Sequence, residues 1–175
     1  LFHLRRLPEA AASASRPARL MGKLGILGHI VIAQSMVIML MSLFLLDLHV
    51  SRLLPFALTL VLTSLTFLTI IVALTRAFGD AGKAAALLLM VLQLSSAGGV
   101  LPVELAGGIY QTVSPWLPFT WVVKALRASM FGAFDGDWFS PWLVIGLIGS
   151  VAWLSACFVG SWKFVTPDEH RPAID

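Results

Sequence analysis

Three long, uncharged apolar runs limit the possible fold of this chain more than any other sequence feature. They extend from Leu24 to Leu46, from Leu53 to Thr75 and from Pro141 to Trp162, without any Asp, Glu, Lys or Arg. At about 1.5 Å of rise per residue, a helix of this length crosses the ~30 Å hydrocarbon core of a bilayer. A fourth run, from Ala84 to Leu101, is shorter and is interrupted at Gly98-Gly99. These runs predict an integral membrane protein.

The composition argues against a water-soluble domain. Hydrophobic residues make up 58% of the 175 residues and charged residues only 12%, whereas ordinary globular domains carry about 25% charged residues. The net charge of +3 does not indicate nucleic-acid binding, because the basic residues flank the apolar runs and form no continuous basic face. We therefore expect an all-α integral membrane fold with four transmembrane helices in the lipid bilayer, over residues 24–165.

The positions of the basic residues predict the orientation of the spans. Four spans place both termini on one side of the membrane, and that side carries nine Lys or Arg residues against three on the other. The positive-inside rule then places segment 1–23, the connection from Arg76 to Lys83 and the tail 166–175 in the cytoplasm. We expect a cell-membrane protein in which both ends of this chain are cytoplasmic.

The segment between the third and fourth runs predicts a second kind of element. It is too polar and too rich in proline to span the membrane, yet too apolar for a free loop. A short helix is predicted from Glu104 to Val113, and a second one from Phe119 to Phe131, with two prolines between them. We expect these two external helices, over about residues 103–133, to lie in the headgroup region or to re-enter the membrane.

Polar residues inside the third run are the best local candidates for a lumen or a gate. Gln93, Ser95 and Ser96 directly precede the Gly98-Gly99 interruption. A break in a membrane helix frees backbone groups that must be satisfied by protein or by a wet cavity. The alternative interpretation, which is the more common one for such residues, is helix packing.

Small residues recur along the last run. Gly146 and Ser150 form one pair at a spacing of four, and Ala152, Ala156 and Gly160 form a second series at the same spacing. Small side chains at this spacing let membrane helices approach closely. We expect a helix-packing seam, with its partner helix either in this chain or in a second subunit.

No motif predicts catalysis, a cofactor or a metal. The four histidines are scattered along the chain, and no nucleophile–base pair is evident. The stretch from Gly79 to Lys83 is not a phosphate-binding loop, because its glycines are too close together and Ala84 follows the lysine. We expect neither enzymatic activity nor a bound cofactor.

The stretch from Gly79 to Phe134 contains a characteristic order of residues. Its motif elements are Gly82-Lys83, Gln93, Ser96, Gly98-Gly99, Pro102, Glu104, Pro115, Pro118 and Ala125-Leu126-Arg127. In this order it resembles the C-terminal membrane part of the YhgE/Pip (phage infection protein) family, within the type-2 ABC transporter permease superfamily. The resemblance covers roughly residues 20 to 165 when the other runs are included.

The resemblance implies a permease-like subunit of the bacterial inner membrane that exports an unknown substrate. Such subunits are usually homodimers and work with a separate cytoplasmic ATPase. Because family members have further spans and a large extracytoplasmic segment before this region, we expect the chain that starts at Leu1 to be a C-terminal fragment. The alternative function is a non-transporting membrane anchor or surface receptor, for phage adsorption or for a secretion machinery.

Overall fold

The computed structural model describes residues 16–96 and 108–158, and within these ranges every regular element is helical. The α-helices are α1 (Arg16–Phe44), α2 (Leu53–Phe78), α3 (Asp80–Ser96), α4 (Gly108–Val113), α5 (Pro118–Phe131) and α6 (Phe139–Phe158). Two short 3-10 helices, Ser114–Trp116 and Phe134–Gly136, precede α5 and α6. The expectation of an all-α fold is confirmed for the described residues.

Three helices are long and apolar enough to cross a membrane. These segments are Leu24–Phe44, Leu53–Phe78 and Phe139–Phe158, with mean hydropathies of 2.1, 2.4 and 1.8. α3 is described over 17 residues, and the part of the predicted third span from residue 97 to Leu101 lies outside the described residues. α1 begins at Arg16, so its helix extends into segment 1–23.

α2 lies at the centre of the bundle and contacts α1, α3, α5 and α6. Hydroxyl groups make several of its contacts with neighbouring helices. The Oγ atoms of Ser35 on α1 and Ser64 on α2 are 2.7 Å apart. Toward α6, Thr59 Oγ1 accepts the indole N–H of Trp142 at 2.8 Å. A threonine hydroxyl of α2 therefore contacts α6.

One end of the bundle contains the α1–α2 connection, residues 45–52, and is called the loop end below. The opposite end contains Gly79, which alone separates α2 from α3, and is called the turn end. Gly79 has φ of 62°, a conformation that favours glycine. The turn is also tight beyond Gly79, because a Cβ on Gly82 would collide with the carbonyl oxygen of Leu74.

A small buried cluster joins three helices toward the turn end. Leu24 of α1, Val72 of α2 and Ala156 of α6 are each at most 7% exposed, and the side chain of Trp153 packs against them. Many other large apolar side chains point outward. Such a surface belongs in lipid or against further helices, because a water-soluble protein buries its large apolar patches.

Candidate functional site

α5 runs beside the half of α2 that is nearer the loop end. The ring of Phe119, at the start of α5, meets Phe67 of α2 edge to face at a centroid distance of 6.3 Å. Phe67 lies fourteen residues after Leu53, which is about 21 Å along the helix. At the other end of α5, the carbonyl of Met130 accepts the backbone N–H of Ser51 at 3.1 Å. α5 is therefore antiparallel to α2 and extends from the middle of α2 to the loop end.

The loop end holds the C-terminus of α5 through several hydrogen bonds. The backbone N–H of Arg52 donates to Ser129 O at 3.0 Å, and the Ser51 hydroxyl donates to Met130 O at 2.9 Å. The guanidinium of Arg52 also donates to the carbonyl of Gly136 at 3.3 Å. These bonds fasten the α1–α2 connection to the end of α5 and to the turn that follows it.

The N-terminus of α5 is capped by a side chain from another helix. Pro118 occupies the first turn and has no N–H, and Leu117 at the N-cap has no side-chain acceptor. The backbone N–H of Phe119 therefore lacks a partner within its own helix. It donates to Oε1 of Gln93 on α3 at 3.3 Å, and Gln93 is 3% exposed. This contact between α3 and α5 is the centre of the candidate site.

The turn just before α5 contains further internal polar contacts. The hydroxyls of Ser114 and Thr120 are 3.1 Å apart and buried. The indole N–H of Trp121 donates to the carbonyl of Pro115 at 2.9 Å. Pro115 and Pro118 have no backbone N–H to donate. The side chains of Ser114, Thr120 and Trp121 therefore make polar contacts in a turn that has few backbone hydrogen bonds.

One side of α5 is turned away from the bundle and carries basic and aromatic groups. Nζ of Lys124 lies over the Trp121 ring, 4.5 Å from its centroid. Arg127 and Phe131 are exposed one and two turns further along, and Trp116 is 83% exposed at the opposite end. The site residues predicted from the sequence do not include Trp116, Trp121 or Lys124.

An open groove of about 440 Å³ lies between α2 and α6. Gly146 and Ser150, both predicted as packing residues, line this groove together with Gly149, Thr66 and Thr69. The approach of the two helices is close here, since a Cβ on Gly149 would come within 2.9 Å of Thr66 Oγ1.

The remaining predicted residues fall in different environments. Ala156 is part of the buried cluster near the turn end, Ala152 is half-buried, and Ser96 is the last described residue of α3. Five predicted residues lie outside the described residues: Gly98, Gly99, Pro102, Glu104 and Gly160. The structure therefore brings Gln93, Pro115 and Pro118 together around the start of α5 and separates them from Arg127.

Residues 16–96 and 108–158 contain no group of three or more His, Cys, Asp or Glu side chains that could hold a metal ion. Cys157, the single cysteine of the chain, is half-buried near the turn end. The polar groups described around α5 are amides, hydroxyls and basic side chains, a set suited to helix capping and to contacts with anions.

Comparison with known proteins identifies the family. Residues 9–131 match the ABC-2 type transporter family. The chain is similar to the uncharacterized protein YhgE of Bacillus subtilis (strain 168), with 32% identity over 121 residues, and the match covers 69% of this chain and 15% of that protein. No solved structure matches the chain. The apolar helices and these two matches agree with the resemblance noted in the sequence, and the chain belongs to the ABC-2 type transporter family of membrane proteins.

Proposed function

We propose that this chain is part of the membrane domain of an ABC-2 exporter in the bacterial inner membrane. Its role is to form the pathway for a substrate, while a separate cytoplasmic ATPase supplies the energy. The family match supports a permease-like membrane subunit. The polar residues around α5 support a gating role, because they cap and position helices.

In this proposal α1, α2, α3 and α6 are the four spans, and α4 with α5 forms a hairpin that re-enters the membrane. The position of α5 supports the hairpin, since its first turn is level with Phe67 in the middle of α2. The apolar run that contains α3 continues in the sequence to Leu101, which is long enough for a span. By the positive-inside rule the turn end is cytoplasmic and the loop end is external.

The hydrogen bond from Phe119 N–H to Gln93 Oε1 is the observation that carries the proposed gate. α5 is fastened to the loop end by the backbone bonds of Ser51 and Arg52, whereas Gln93 ties the deep end of α5 to α3. A movement of α3 breaks this hydrogen bond and leaves the external fastening intact. ATP-driven rearrangement of α3 is therefore the step that opens the pathway beneath the hairpin.

Two copies of the chain form the working unit in this proposal. α3 carries large apolar side chains on the side away from the bundle, and Leu87, Leu88, Met90 and Val91 are each more than 60% exposed. Such a face supports packing of α3 against the same helix of a second copy around a shared pathway.

Crosslinking and affinity purification of the tagged full-length protein from its native membrane test the proposal. The expected result is co-purification of an ATPase subunit, whose ATP hydrolysis falls when Gln93→Lys places a charge at the α3–α5 contact. Ser95→Ala is the matched control, because the exposed Ser95 hydroxyl bonds only within α3, to Val91 O. Recovery of the protein without any ATPase under efficient crosslinking would contradict an exporter function.

A non-transporting anchor or receptor is the second candidate. The observation that favours it is that the chain spans 15% of the length of the curated relative it matches, so most of that relative lies outside the matched region. In this case the helices only hold an external segment in place. Gln93→Lys would then leave the surface function intact in any protein that still folds, whereas an exporter loses transport.

A further inference from the structure

The side of α5 that faces away from the bundle has a composition unsuited to contact with hydrocarbon chains alone. Lys124, Arg127 and Phe131 follow one another at i, i+3 and i+7, and Trp121 lies beside Lys124. These four residues, with Trp116 at the deep end, are called the Lys124 face. Two basic residues on one helix face are unusual in a membrane segment and mark a functional surface.

Lys124 lies well below the loop end. It precedes Met130 by six residues, or about 9 Å along the helix, and Met130 is the residue bonded to Ser51 at the loop end. In the four-span arrangement proposed above, this depth places the ammonium group inside the outer leaflet. Its contact among the described residues is the Trp121 ring, and none of their carboxylates forms a salt bridge with it.

Trp116 gives an independent indication that this face is not simply exposed to lipid chains. Tryptophan prefers the interface between membrane and water. Trp116 instead lies three residues before Phe119, close to the level of the middle of α2, and is 83% exposed. An exposed indole at this depth, together with the lysine further along α5, fits a site for a molecule with both apolar and charged parts.

We propose that the Lys124 face binds an anionic phospholipid of the outer leaflet through its phosphate headgroup. This inference rests on the proposed function, which supplies the depth and the pathway. Nζ of Lys124 contacts the phosphate as a point charge. The rings of Trp121 and Trp116 lie along the apolar part below it. Charge complementarity selects a lipid with a net negative headgroup over a zwitterionic or neutral one.

The experiment uses the purified full chain in detergent micelles that contain equal amounts of phosphatidylglycerol and phosphatidylcholine. Native mass spectrometry measures how much of each lipid stays bound. The wild-type chain is expected to retain phosphatidylglycerol at least five-fold over phosphatidylcholine. Lys124→Gln is expected to remove most of this selectivity, Lys124→Arg to restore it, and Trp121→Phe to reduce retention of the lipid.

Lys83→Gln is the matched control, because it makes the same chemical change at the other end of the bundle. Lys83 is already paired with Asp80 at 2.6 Å, so its removal is expected to leave the selectivity unchanged. If Lys124→Gln fails to fold, Trp121→Phe tests the proposal instead, and unchanged retention of phosphatidylglycerol by that variant would overturn it. Equal retention of the two lipids by the wild-type chain, or equal losses in both lysine variants, would overturn the proposal.

Two further outcomes identify a different occupant and would also overturn it. Displacement of the lipid by inorganic phosphate at the same concentration would show an anion site without an amphiphile. A change from dimer to monomer in Lys124→Gln would show that this face lies between two copies. The lipid measurement needs no ATPase. A negative result would therefore reject lipid binding without bearing on whether an ATPase partner is recovered.

Discussion

Gln93 and Phe119 lie 26 residues apart in the sequence, yet the side-chain oxygen of one caps the helix that begins at the other. Oε1 of Gln93 accepts the Phe119 N–H at 3.3 Å, and Gln93 is 3% exposed. Cappings of this kind are usually local, from Ser, Thr, Asp or Asn at the N-cap. Here the N-cap is Leu117, which has no acceptor. The backbone N–H at the start of α5 therefore finds its hydrogen-bond acceptor on α3 and not within its own helix.

Gln93→Met tests this dependence, because methionine fills a similar volume and cannot accept the hydrogen bond in the same way. The buried N–H of Phe119 loses its partner, which costs about 1–3 kcal/mol. We expect the free energy of unfolding, measured by SDS titration in mixed micelles, to fall by about this amount. Ser95→Ala, on the exposed side of the same helix, is expected to change it by less than about 0.5 kcal/mol. Equal stability of Gln93→Met and wild type would remove the basis of the proposed gate.

The sequence predicts the individual helices better than their contacts. The uncharged runs predict α1, α2 and α6, because a long apolar segment is explained by lipid alone, without knowledge of its neighbours. The second external helix, expected from Phe119 to Phe131, is observed as Pro118–Phe131. Its limits follow from local chemistry: proline suits a first helical turn, and Gly132 ends the helix with φ of 68°.

The start of α1 and the cap of α5 could not be predicted, for two different physical reasons. Pro17 disfavours a helix at most positions, but it lies in the first turn of α1, where proline is tolerated. The contact of Gln93 depends on how α3 and α5 pack together, and no periodicity of either helix contains that information. The contacts of Thr59 and Thr66 could be predicted in part. A stripe of hydroxyls on one helix predicts contact with another helix, but it does not identify α6 as the partner.

Gly82→Ala is expected to disrupt the turn between α2 and α3. A Cβ at this position would collide with the carbonyl of Leu74, and a backbone atom cannot move aside as the end of a flexible side chain can. Overpacking of this kind costs about 1–3 kcal/mol or more. We expect a loss of this size in the free energy of unfolding and a lower yield of folded protein. Gly28→Ala is the control, because no atom lies within 4 Å of a Cβ there; similar losses in both variants would contradict the prediction.

The close packing of α2 against α6 predicts that a Gly→Ala substitution changes stability at Gly149 but not at Gly146. In Gly149→Ala the new methyl group would lie 2.9 Å from Thr66 Oγ1, so we expect a loss of about 1–3 kcal/mol in unfolding free energy. In Gly146→Ala nothing lies within 4 Å, and we expect little change. Thr66→Ala in the Gly149→Ala background is expected to recover part of the loss, as a double-mutant cycle in SDS titrations would measure. Additive effects of the two substitutions would show that these positions do not contact each other.

We expect the stability of the fold to depend on pH through the carboxylate of Asp137, just before α6. Hydrogen bonds from the Ser140 hydroxyl, and from the backbone amides of Ser140 and Phe139, lower the pKa of Asp137 from its ordinary value, although desolvation opposes them. Oδ1 of Asp137 accepts both amides at 3.1 Å. Because the pKa is lower in the folded state, the stabilisation is fully present above the unfolded value of about 3.9. It is lost as the pH falls through the lowered folded value.

Asp137→Asn isolates the contribution of this charge, since asparagine keeps an acceptor at the helix N-terminus. We expect the wild-type Tm to exceed that of the variant at pH 7, and the difference to shrink as the pH falls toward and below the unfolded value of about 3.9. Ser140→Ala removes the hydroxyl, the largest cause of the shift, so in that background the difference is expected to be smaller at pH 7 and to be lost completely at a higher pH. Thermal unfolding followed by circular dichroism in micelles, from pH 3 to pH 7, measures all four proteins. A Tm difference that stays constant over this range would contradict the prediction. It would mean that protonation of the Asp137 carboxylate does not change the stability of the folded state.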